Sequence, residues 1–391
     1  MRQFFSELRD FFRRGDMLLL FLCVGTSAFG CLMIASTTNY LGYVRYVSVQ
    51  IGAILLGVVF YAIVSSIDIR VVAERWGWLV LFNIGMLLLL RTPFGMEING
   101  NRSWVRFPFM PVNIQPAEFC KISFVIIMAA IMARYQDQDK VSSLRCVGPM
   151  LIQLLLTAGL NYVVSGDAGV SLIFAFVFVI MAYAGGVKWP WFVVGGVSLG
   201  AALPFVWKYG LKEYQRLRIK VLYDATIDPL GMNERYQLLR SLRSLTSGGP
   251  TGQGLFNGTR TQSGALVAQH TDFIFSAIGE ELGYLGCVIV IIMLLLIVIR
   301  CLQVGTRSPD YLRKLICFGA AGALIFQIIS NVGMCMGLTP VIGLTLPFIS
   351  YGGSSILSMF VMMGLVSGIH ARPTRPIHER YIQPPRGDLR V

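Results

Sequence analysis

Ten apolar stretches, each about as long as the roughly 20 residues a helix needs to cross a bilayer's hydrocarbon core, recur along this chain. They lie near residues 16–36, 46–66, 76–92, 116–134, 148–164, 168–186, 189–207, 273–299, 312–338 and 352–370. Lipid offers no hydrogen bonds, so a backbone crossing it must satisfy its own N–H and C=O groups, and runs of this length do so as helices. The fold expected is an all-α polytopic membrane protein, with about ten transmembrane helices and one large extracytoplasmic loop between helices 7 and 8. The balance of residues agrees: 55% are hydrophobic and 14% charged, far from the usage of soluble domains. Asp167 and the cluster of Gly185, Gly186, Lys188 and Pro190 separate spans that hydropathy alone would fuse.

Lys and Arg in the short loops set the orientation. With the N-terminus inside, Arg70, Arg75, Arg134, Lys140, Arg145, Lys188, Arg300, Arg307, Arg313 and Lys314 all fall on the cytoplasmic side, and the C-terminus returns there. Residues 1–15 read as an amphipathic segment on the inner leaflet, 16–370 as one transmembrane domain, and 371–391 as a disordered cytoplasmic tail. The net charge of +13 is spread over loops without a nucleic-acid module, so membrane lipids or an anionic substrate fit it better. The eight cysteines have no CxxC spacing and read as core residues.

The segment 208–271 then lies outside, with a basic excess that includes Lys208, Arg216 and Arg218. Either an anionic partner or a merely solvated basic face accounts for that excess. Residues 235–246 carry Leu238, Leu242 and Leu245 at helical spacing, as an amphipathic helix lying on the bilayer would. At its end stands QHTDFIFSAIGEELG, where a polar loop gives way to an apolar helix and three carboxylates, Asp272, Glu280 and Glu281, enter costly surroundings. For Asp272, capping the helix is the competing role. At the mouth of the fourth span, Glu118 and Lys121 are three apart and share one helical face at the same expected depth, either as a local ion pair or as part of a site with Asp272. The stretch TPVIGLTLPFISYGGSS, 339–355, is broken by Pro and Gly inside an apolar run, which fits a re-entrant segment lining an outer cavity.

Together these motifs resemble the SEDS family, the RodA, FtsW and SpoVE peptidoglycan glycosyltransferases of the bacterial cytoplasmic membrane, over nearly the whole chain. PVIGLTLPFISYGGSS is the most specific part. The resemblance implies a polymerase that joins the sugars of lipid II into glycan strands at the outer membrane face. It also implies a class B penicillin-binding protein as transpeptidase partner. NGTRTQ (257–262) and the PVIG turn lean towards the RodA-like, elongation branch, with division or sporulation types as the alternative. Carried over by motif, the essential aspartate is Asp272, and Glu118, Lys121 and Arg102 fall at family positions. Ala117 replaces the usual Ser, and SGDAG keeps Asp167 but departs from the family's Gln-Pro-Asp-Leu-Gly turn.

The chemistry so implied needs a base for a sugar hydroxyl, assigned to Asp272 with Glu118 supporting it, and cations for the leaving pyrophosphate. Lys121, Arg102, Arg216 and Arg218 supply these. Gln115, His270, Ser350, Gly352 and Gly353 complete the expected substrate surface. No cofactor is evident from the sequence, though a divalent cation, magnesium or manganese, could share the phosphate. The competing class is a lipid II flippase, which would need polar groups through the full depth of the bundle.

Overall fold

The computed structural model describes residues 15–98, 100–107, 113–136, 140–229, 232 and 235–372. The expected N-terminal helix, the tail beyond Arg372, and Asn99, Gly231 and Glu234 lie outside them. Among the described residues, eight helices are long and apolar enough to span a membrane, and two shorter apolar ones, Trp76–Arg91 and Ala168–Ala184, fall at the third and sixth expected spans.

In chain order the helices are α1 (Met17–Thr37), α2 (Val44–Ser66), a short α3 (Ile69–Glu74), α4 (Trp76–Leu88), α5 (Pro116–Gln136), α6 (Leu144–Ser165), α7 (Ala168–Ala184) and α8 (Trp189–Gly210). They continue with α9 (Glu213–Tyr223), α10 (Tyr236–Ser247), α11 (Thr259–Gln262), α12 (Ile274–Arg307), α13 (Tyr311–Cys335) and α14 (Gly353–Ala371). Between α4 and α5 the chain makes a hairpin of β1 (Gly95–Ile98) and β2 (Asn101–Val105), antiparallel, with Gly95 opposite Val105. The residues carry no strong alternation there, so the sequence reads as plain loop.

α5 is the axis. From Ile122 to Met132 every residue is buried, and all but Ser123 are apolar; a helix apolar on every side belongs inside a bundle. α4, α7, α13 and α14 pack around it. α14 lies along α2 at backbone distance: a Cβ on Gly364 would come within 2.8 Å of the Tyr61 carbonyl. α8 stands apart, with none of Trp189–Phe205 buried. The cysteines are free thiols, buried apart from the half-buried Cys31.

Ion pairs tie one end of the bundle. Asp16 caps α1 through Leu19 N–H and is paired with Arg300 at 2.8 Å, while Asp310 receives Arg70 and Arg313. At the other end the long connection 208–271 folds over the helices. α10 is helical where the leucine spacing predicts, but it does not rest only on lipid. Its serine face is buried on the bundle, with Ser241 2.6 Å from the Ser276 hydroxyl and 2.9 Å from the Cys335 carbonyl.

The eighth span differs from the continuous helix expected over 273–299. It runs to Arg307 and is broken at Gly283, where φ is 67° and ψ −165°. The Gly-rich stretch before α11 fills the break. Gln253 and Gly254 donate to the carbonyls of Glu280 and Glu281, and the carbonyls of Gly249 and Pro250 accept from Tyr284 and Leu285. The four groups that the break frees are thus bonded by another segment, the condition under which non-helical backbone persists in apolar surroundings. Glycine is required here by contact: a Cβ on Gly248 or Gly252 would overlap the carbonyls of Gly279 or Glu281.

Candidate functional site

Asp272 sits one residue outside the cap of α12. The cap position is Phe273, which offers no side-chain bond, so the Asp272 carboxylate is not spent on the helix end. Its backbone is fixed instead: the Asn331 amide donates 2.8 Å to the Asp272 carbonyl and 2.7 Å to that of Leu344, riveting α12, α13 and the 339–352 segment together. Tyr351 N–H donates to the His270 carbonyl at 2.8 Å, and the Ser350 hydroxyl to that of Thr271 at 2.6 Å.

The 339–352 segment is non-helical and largely buried, with Leu344, Leu346, Phe348 and Ile349 in the core. It runs between two acidic turns. On one side a Cβ at Gly343 (φ 69°) would lie 3.5 Å from Asp272 Oδ2; on the other, a Cβ at Gly169 would lie 2.9 Å from the Ile342 carbonyl and 3.4 Å from Asp167 Oδ1. Asp167 caps α7 through Val170 N–H at 3.1 Å and accepts the Ser103 hydroxyl of β2 at 3.4 Å. Its charge acts on Asp272, and it is itself acted on by the Glu118 carboxylate.

Enclosure by protein, and secondarily the Asp167 carboxylate, push Asp272 up to about 6, against the opposing pull of Thr271 and Arg218. Asp272 is nevertheless half-buried and keeps part of its surface open rather than being sealed in the core. A carboxylate tuned this way is a better proton acceptor near neutral pH than a free one.

Glu118 and Lys121 are brought close to this pair through Asp167. Lys121 Nζ is 2.9 Å from both Glu118 oxygens, and Ser358 of α14 donates 2.7 Å to Glu118 Oε2. Both side chains are almost fully buried. The pair is closed on itself and on Ser358, with no hydrogen bond to Asp167 or Asp272 among the described residues.

The basic residues divide. Arg216 and Arg218 are two apart on α9, about 200° around a helix that turns 3.6 residues per turn, and face different ways. Arg218 reaches the Val341 carbonyl at 3.2 Å, above Asp272. Arg216 instead lines a cavity of about 500 Å³ with Gly200, Leu203, Pro204, Trp207 and Lys208 of α8. Arg102 turns into its own hairpin and donates 2.9 Å to the Thr92 carbonyl. α9 forms a lid over the turn at Gly166, since Lys212 bonds the Gly100 carbonyl and Gln215 that of Gly166.

Of the expected substrate surface, Gln115 N–H is bonded to Ser354, and Ser350 Oγ to Leu346 N–H and the Thr271 carbonyl. Gly352 N–H is bonded to Gln50. Gly353 opens α14, and burial holds the His270 imidazole below its usual range, edge-on to Tyr46 and Tyr351. These residues act chiefly by fixing the backbone around Asp272. Sequence reasoning left Asp167 without a role and missed Ser358 and Asn331. An acidic residue stranded between two spans was the available signal for Asp167; a Ser and an Asn inside apolar helices gave none.

Among the described residues no group of three or more His, Cys, Asp or Glu side chains gathers as a metal cage.

The chain matches the cell cycle protein family FtsW/RodA/SpoVE over residues 16–375. It is 31% identical over 322 residues to the peptidoglycan glycosyltransferase MrdB of Escherichia coli (strain K12), covering 82% of this chain and 84% of that one. To the probable peptidoglycan glycosyltransferase FtsW of Trichlorobacter lovleyi it is 31% identical over 365 residues, 91% and 93% of the two chains. Among solved structures, a chain of a peptidoglycan synthase complex, described for its structural coordination of polymerization and crosslinking, matches with a TM-score of 0.76 at 27% identity, over 93% of this chain and 99% of that one.

Proposed function

This chain belongs to the FtsW/RodA/SpoVE family and is a peptidoglycan glycosyltransferase with a role in cell shape; from that premise we propose that it polymerises lipid II with Asp272 as the catalytic base. The observation that carries the assignment is a partly open carboxylate raised to about 6 at the meeting point of α12, Asp167 and the 339–352 segment.

In the proposed step the 4-hydroxyl of the acceptor sugar attacks the anomeric carbon of the donor. A new glycosidic C–O bond forms as the bond from that carbon to the pyrophosphate oxygen breaks. Asp272 accepts the hydroxyl proton, and the lipid pyrophosphate leaves with the bonding pair. Arg218, beside Asp272, meets the developing charge. Lys121 is already matched by Glu118, so the pair acts on the site through its field rather than by direct contact. The cavity at α8 suits the donor lipid, with Leu203, Pro204 and Trp207 against the chain and Lys208 and Arg216 against phosphate. A divalent cation, magnesium or manganese, would share the charge of the leaving pyrophosphate if bound there.

The site would face outwards, under the 208–271 connection, with both termini in the cytoplasm. A class B penicillin-binding protein is the proposed partner; the likeness to a chain of a synthase complex supports it. The elongation-type branch rests on NGTRTQ and PVIG. Against a flippase stands the apolar course of α5 below Lys121, where Ser123 is the one polar residue down to Met132. The test is polymerisation of lipid II by the purified protein. Asp272→Asn, which keeps the shape and removes the base, is expected to abolish strand formation; unimpaired strands from that variant would refute the assignment.

A further inference from the structure

Glu280 and Glu281 have no part in the chemistry above, yet both are wholly buried at the break in α12, where a carboxylate needs strong reasons to remain. Their partners supply the reason. Glu280 Oε1 accepts from Arg260 N–H at 2.7 Å and Oε2 from the Thr261 hydroxyl at 3.1 Å. Glu281 accepts from the Ser36 hydroxyl, 2.7 and 2.6 Å from its two oxygens, and from the Gln262 amide at 2.9 Å. The Gln269 amide then donates to the carbonyls of Thr261, 2.8 Å, and Thr37, 2.7 Å. A continuous set of bonds thus runs from Glu280 through Thr261 to Gln269, three residues before Asp272, and from Glu281 to the end of α1.

We propose that Glu280 and Glu281 are positioning residues that hold α11 and the end of α1 in register and thereby fix the backbone that presents Asp272. The proposal rests on the reading of Asp272 as the reacting group. Neutral donors serve both carboxylates, so what they contribute is geometry rather than charge beside Asp272. A shift of about 1 Å in the base is enough to cost roughly a hundredfold in rate, whereas substrate contacts on α8 and α9 stay where they are.

The experiment compares Glu280→Ala, Glu280→Gln and Thr261→Val in the full-length protein, by lipid II polymerisation kinetics and by hydrogen exchange over 259–271. Glu280→Gln can still accept from Arg260 N–H and can donate to Thr261, so it retains kcat within about twofold. Glu280→Ala and Thr261→Val lower kcat by about tenfold or more with KM changed less than about threefold, and both speed exchange in 259–271. Thr261→Val cuts the same link from the loop side and serves if Glu280→Ala does not fold. Lost activity with unchanged exchange, faster exchange with unchanged kcat, or a Glu280→Gln as impaired as Glu280→Ala each overturns the proposal. Activity in Asp272→Asn would sink the base assignment instead, while the exchange data would still report on the latch.

Discussion

The Lys121 ammonium lies 2.9 Å from each oxygen of the Glu118 carboxylate, with both side chains nearly free of solvent. A pair so placed has lost its hydration and, among the described residues, is compensated by its partner and by Ser358. Lys121→Met is therefore expected to destabilise the protein by roughly 3–5 kcal/mol, since it strands a buried carboxylate. Adding Glu118→Gln should recover part of that loss. Thermal unfolding of the purified single and double variants checks the sign of the coupling.

Activity should fall on the acid side with a midpoint at about 6, where Asp272 takes up its proton. The stability contribution has the opposite sense. Because the folded pKa is raised above the ordinary carboxylate range, the contribution is fully present below that range and is lost as the pH rises through about 6. Asp167→Asn removes the neighbouring like charge and is expected to move the activity midpoint downwards. A pH profile of kcat/KM for both proteins measures this, and an unmoved midpoint would dissociate the two carboxylates.

Arg216 and Arg218 should separate kinetically. Arg216→Ala, at the α8 cavity, is expected to raise KM for lipid II by about ten- to a hundredfold, the loss of one charged hydrogen bond of roughly 1.5–3 kcal/mol. Arg218→Ala, beside Asp272 and bonded to Val341, is expected to act mainly on kcat. Equal effects on both constants from both variants would mean one shared phosphate site.

Gly252 has φ +84° and no room for a Cβ beside the Glu281 carbonyl. Gly252→Ala should expel the stretch before α11 from the break in α12. Limited proteolysis within residues 248–262 is then expected to quicken, with a lower melting temperature, and resistance equal to the parent protein would count against the inserted loop.

The apolar runs were readable because lipid forces helical structure on any long apolar segment, so hydropathy places the spans without knowledge of the packing. Depth alone singles out Asp272, Glu118 and Lys121 as candidates. What joins them was not readable, because Asp167 and the 339–352 segment meet Asp272 only in the folded bundle. The opposite directions of Arg216 and Arg218 were within reach, as residues two apart on a helix do not share a face. The break at Gly283 was hidden: its partners are carbonyls and N–H groups some thirty residues earlier, and backbone groups leave no trace in residue type. Glu280 and Glu281 stayed ambiguous for the same reason, since a neutral hydroxyl such as that of Ser36 is no signal until it stands beside the carboxylate.

Every donor named for those two carboxylates, Ser36, Arg260, Thr261 and Gln262, precedes them in the chain. During synthesis the groups that will receive the acidic pair have therefore been made before α12 enters the bilayer. A circular permutant that began at α12 would reverse that order, sending two carboxylates into hydrocarbon ahead of anything able to bind them.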